Sequence, residues 1–153
     1  MSVPLLVLLC VLAGQLAGSA PQPLPLAPGV RYNPAIPTVQ QVVGHDVGEK
    51  MSSPAEIHAY LKALAAAAPD RVRLIEYARS WEGRPLNLLV IGSPERLARL
   101  EQVKGNLRRL ADPRGLSQAD GDRLINDLPV VTWLIHSVHG NEVTSSDAAL
   151  AEA

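Results

Sequence analysis

The sequence predicts an α/β fold, and three observations carry that reading. Residues 53–68 repeat apolar side chains at helical spacing. Residues 72–92 form two strand-like runs separated only by a short polar turn. Residues 130–138 form a nearly charge-free, β-branched run that passes through a polar turn into another helical pattern. Apolar residues make up 47% of 153, enough for one domain with a core. With no Phe and 3% aromatics, that core must be aliphatic and alanine-based.

The charge balance narrows the function classes. Formal net charge is −1, which argues against a partner that needs a basic surface, whether nucleic acid or an anionic membrane. Residues 1–20 read as a secretory signal, with an apolar run over 3–13 and small residues Ala17, Gly18, Ser19 and Ala20 for cleavage. No Lys or Arg precedes the run, and Pro21 disfavours a cut after Ala20 but not one after Ser19. The run is too short for a lasting membrane anchor, so the expected location is secreted or periplasmic. The single Cys10 falls inside this leader, leaving no disulfide framework and no thiol ligand beyond it.

Residues 21–48 read as a proline-rich arm, because Pro21, Pro23, Pro25, Pro28, Pro34 and Pro37 forbid helix and interrupt any ladder. His45 and Asp46 lie between Gly44 and Gly48, a pattern that fits a metal corner but is expected more of a solvated turn. From 49 to 153 the chain reads as one folded portion. Ser53 with Glu56 forms a capping box, with Pro54 at the first helical position. Ile57, Tyr60, Leu61, Leu64 and Ala68 make the buried stripe, with His58 off it, and Pro69 ends the helix.

Residues 72–79 and 85–92 then form an antiparallel hairpin around Ser80-Trp81-Glu82-Gly83-Arg84. A second helix is expected from Pro94 to about Leu110, with Leu97, Leu100, Val103, Leu107 and Leu110 on its buried side. Ser117 and Asp120 cap a third, ending near Leu128. Residues 130–138 should form a strand buried on both faces. Gly140 permits a sharp turn after it, and residues 144–153 continue as helix with Val143 and Leu150 on one side.

The chemistry concentrates in that turn. His139 and Glu142 form an H-x-x-E arrangement where the predicted strand gives out. Imidazole nitrogen and carboxylate oxygen both suit Zn²⁺, which is usually four-coordinate, so two protein ligands do not make a catalytic site and a third must come from elsewhere. On an extended strand His136 faces away from His139, which predicts a core histidine bonded to backbone. Asn141 lies between the two candidate ligands and either touches substrate or satisfies backbone groups at the helix start.

Trp133-Leu134-Ile135-His136-Ser137-Val138-His139-Gly140-Asn141-Glu142 resembles the first metal motif of the zinc carboxypeptidases. Ser80-Trp81-Glu82-Gly83-Arg84 is similar to the segment joining that family's first two strands, and the likeness runs from about residue 49 to 153. The resemblance implies the N-terminal part of a three-layer α/β/α sandwich with a mixed sheet, incomplete in this chain. It implies a zinc-dependent carboxypeptidase acting on peptide or protein substrates, with His139 and Glu142 as metal ligands and Asn141 near substrate. The family's second histidine ligand, carboxylate-gripping arginine and general-base glutamate match no position of this sequence, so the chain reads as an N-terminal fragment, inactive alone. The insert between the second and third strands is longer than in compact members. Rival readings are an amino-acid deacylase of the same fold, a non-catalytic binding module, or a metal-free secreted interaction domain.

Overall fold

Local capping accounts for where most helices begin. The computed structural model describes residues 28–153, so the predicted leader lies outside the described residues. Contacts divide the chain into Met1–Arg31 and Tyr32–Ala153, and every element below belongs to the second unit. Six helices and two strands are present among the described residues.

Helix α1 spans Val39–Val43, capped by Thr38, whose side chain accepts from the Gln41 N–H while Gln41 reaches back to Thr38. It lies within the segment read as an extended arm. The proline-rich stretch ends at Pro37, one residue before this capping box, so nothing opposes a helix from there. Helix α2 spans Pro54–Ala67, started by the expected Ser53–Glu56 box and burying Tyr60 and Leu64.

Strands β1 (Val72–Arg79) and β2 (Pro85–Ile91) pair antiparallel, from Val72 opposite Ile91 to Arg79 opposite Pro85, with a bulge between Glu76 and Ala78. The hairpin closes through the Ser80 N–H to the Arg84 carbonyl at 2.9 Å, and Gly83 takes a positive φ of 74°. The charges at its tip form an exposed Glu82–Arg84 pair at 2.6 Å.

The expected helix after Ser93 is two helices, α3 (Pro94–Ala98) and α4 (Leu100–Ala111), broken at Arg99. Leu97 is buried, but α4 buries no residue completely and Leu107 is exposed. A regular apolar stripe underlies the expectation of one helix, yet a stripe stabilises continuity only where a neighbour covers it. Helix α5 spans Gln118–Asp127 with Ser117 accepting from the Asp120 N–H, as predicted.

The largest difference lies at residues 130–138. The sequence predicts a strand buried on both faces, but no ladder includes this segment and the described sheet has two strands. Val130 is 95% exposed and Trp133 67% exposed. Hydrophobic run and β-branching state what a segment gains if covered. They do not supply the neighbouring strand that a ladder requires. The described residues are thus mixed α/β, without the layers of a sandwich.

Helix α6 spans Thr144–Glu152 and returns to the core through Leu150, 2% exposed. Val143, expected on the same side, is exposed. The core cluster joins Val39, Tyr60, Leu64 and Leu150, with Ile36, Val42, Val43, Val47, Ile57 and Leu89 against it. Leu150→Ala should cost about 2–5 kcal/mol, the usual range for emptying a buried leucine site, read as a lower urea midpoint. An unchanged midpoint would mean α6 does not dock there.

The Ser53 backbone N–H and side chain, then Lys50, hold the Glu56 carboxyl down from 4.5 to about 2. A depressed folded value stabilises the fold above the ordinary carboxylate range and loses that contribution as pH falls from 4.5 toward 2. Acid unfolding followed by circular dichroism should therefore show a shallower loss of stability in that window for Glu56→Gln. Parallel curves for the two proteins would remove Glu56 from the account.

Candidate metal centre

A tight turn, closed by the Glu142 N–H donating to the His139 carbonyl at 3.0 Å, brings the H-x-x-E side chains together. His139 Nδ1 and Glu142 Oε1 lie 3.0 Å apart, with the two side chains 66% and 55% exposed. Glu142 stands just before α6, whose N-cap is Val143. Asn141 is exposed and is not the capping residue, so of its two sequence roles the capping one is not taken. The positive φ before the turn falls at Ser137, 62°, and not at Gly140. The turn expected at Gly140 is present, spanning His139 to Glu142, and a separate bend at Ser137 brings the Ser137 and Ser146 hydroxyl oxygens to 3.1 Å.

The donor chemistry can be tested against a zinc ion. Zn–N and Zn–O bonds of about 2.1 Å in tetrahedral array separate neighbouring donors by about 3.4 Å. The 3.0 Å pair fits after opening by a few tenths of an ångström. Both side chains are open to solvent, so a metal could reach them without rearrangement of the core. The pair supplies only two donors, and no group of three or more His, Cys, Asp or Glu suited to a metal occurs among the described residues.

The other histidines sit elsewhere. His136 is not bonded to backbone as expected. Its Nε2 meets Glu152 Oε2 at 3.0 Å, at the end of α6 away from the turn. It also lines a groove of about 490 Å³ between α2, β2 and α6, with Ile57, Leu61, Leu88 and Leu134. His58, expected at the surface, is half-buried and its Nδ1 lies 3.1 Å from Asn87 Nδ2 on β2.

His45, expected in a solvated turn, is 3% exposed. Gly44 in the left-handed region ends α1 and folds the chain back, so Val43 and Val47 pack on the core and carry His45 inward. Its Nδ1 donates to the Asp46 carbonyl at 3.1 Å. Its Nε2 is buried without a hydrogen bond, 3.6 Å from Glu56 Oε1.

Sequence reasoning also missed a tie between the first turn of α6 and the segment before α2. Asp147 Oδ1 accepts from the Ser52 N–H at 3.2 Å, across 95 positions of the chain. The only local signal for Asp147 is its place in the first turn of a helix, where an acidic side chain is favoured for that helix alone.

No helix among the described residues is long and apolar enough to cross a membrane. No curated protein and no solved structure matches the chain. A family model described as zinc carboxypeptidase matches residues 57–152, from the first apolar position of the α2 stripe to the last residue of α6. That span takes in the EGR hairpin and the H-x-x-E turn, and it covers well over half of the sequence: the chain belongs to the zinc carboxypeptidase family.

Proposed function

We propose that the protein works as a zinc-dependent metallocarboxypeptidase, hydrolysing C-terminal peptide bonds, with His139 and Glu142 as two of its metal donors. The observation that supports this most is their 3.0 Å approach inside the region matched to the family. At 3.0 Å apart, Nδ1 and Oε1 are close enough for one ion to take both as donors. Asn141, exposed between them and free of a capping role, contacts the peptide substrate in this reading. A bound zinc supplies Lewis acidity for amide hydrolysis. In this reading His139 and Glu142 are a partial donor set, which a third protein ligand and a general base would complete. The leader-like residues 1–20 support secretion or export to a periplasm.

With two donors, the chain by itself should bind zinc weakly and turn over no peptide. Zinc titration of the purified chain by calorimetry should show weak uptake that disappears in His139→Ala and in Glu142→Gln. Equal uptake by all three proteins would sink the metal assignment. Peptide turnover abolished by His139→Ala would instead show that the donor set is more complete than proposed.

A further inference from the structure

The turn holding His139 and Glu142 is anchored unequally. On its N-terminal side, residues 129–137 join no ladder. On its C-terminal side stands α6, of nine residues, which has no side-chain cap at Val143. A helix that short is marginal in water without tertiary ties, and an uncapped first turn frays. Fraying at 143–147 would loosen the spacing of the two side chains, which are 66% and 55% exposed.

One polar tie holds that first turn to the body of the unit. Asp147, five residues after Glu142, accepts the Ser52 N–H at 3.2 Å. Ser52 directly precedes Ser53, the N-cap of α2. The Asp147 carboxylate therefore stands at the N-terminal ends of two helices, where both sets of unpaired N–H groups favour negative charge. Leu150 secures the far end of α6 by burial, but one buried side chain leaves the near end free to turn about it.

We propose that Asp147 is a positioning residue for the H-x-x-E pair. Its bond to Ser52 stops the first turn of α6 from fraying and so sets where the imidazole at 139 and the carboxylate at 142 point. This rests on the zinc reading above. Groups that orient a metal ligand from outside the coordination shell commonly change affinity by about tenfold or more when removed.

The test is a zinc titration of the ¹⁵N-labelled full chain, following the His139 imidazole nitrogens, together with amide exchange at Ser52. Asp147→Ala should release the Ser52 amide and weaken the His139 response by about tenfold. Asp147→Asn keeps an acceptor oxygen and should stay within about twofold of wild type. Ser52→Pro removes the donor without touching α6 and should reproduce the alanine result even if Asp147→Ala fails to fold. No zinc response at His139 in wild type would defeat the metal reading. A normal wild-type response that persists unchanged in Asp147→Ala or Ser52→Pro, with the Ser52–Asp147 bond lost, would overturn the positioning role alone.

Discussion

Burial of Leu150 against Tyr60, Leu64 and Val39 holds this structure together. It joins the last helix to the longest of the described helices and to the short helix that follows the proline-rich stretch. Three segments far apart in sequence thereby share one small, mostly aliphatic cluster, in a chain with no phenylalanine and few other aromatics. The H-x-x-E turn stands at the near end of the helix that Leu150 seats. Its chemistry is thus attached to the fold through that helix, and not through the apolar segment that precedes it.

Apolar burial fixes a helix against a neighbour but leaves it rotational freedom, because the hydrophobic effect has no direction. Hydrogen bonds supply the direction. In this protein the capping boxes at Thr38 and Ser53 set where α1 and α2 begin, and Asp147 reaches Ser52 beside the second of them. Three polar features therefore gather at the start of α2: its cap, the strongly acidic carboxyl of Glu56, and the tie to α6. His45, buried beside Glu56 with one ring nitrogen unpaired, sits at the same end.

Much of the fold was legible because its determinants are local. Ser53 with Glu56, and Ser117 with Asp120, place each helix start within three residues. Gly83 and the short link around it require a hairpin whatever lies beyond. The spacing of His139 and Glu142 is equally local, and the turn brings them together as the motif suggests. Apart from the Thr38 capping box inside the segment read as an arm, what misled was a statement about neighbours. Residues 130–138 have the composition of a buried strand and are exposed. His45 has the setting of a solvated turn and is buried. His136, expected to bond backbone, meets Glu152 instead.

Residue order alone was enough to specify most of the helices, the hairpin, the family, and the pair of side chains suited to a metal. Each of these is written within a window of a few residues or in a motif, where backbone geometry and capping chemistry leave few alternatives. Three-dimensional packing settled which apolar runs find cover, which histidines go inside, and that the carboxylate of Asp147 meets the amide of Ser52. The last of these joins partners 95 positions apart. Burial and hydrogen bonding require two surfaces, and one stretch of sequence describes only one of them.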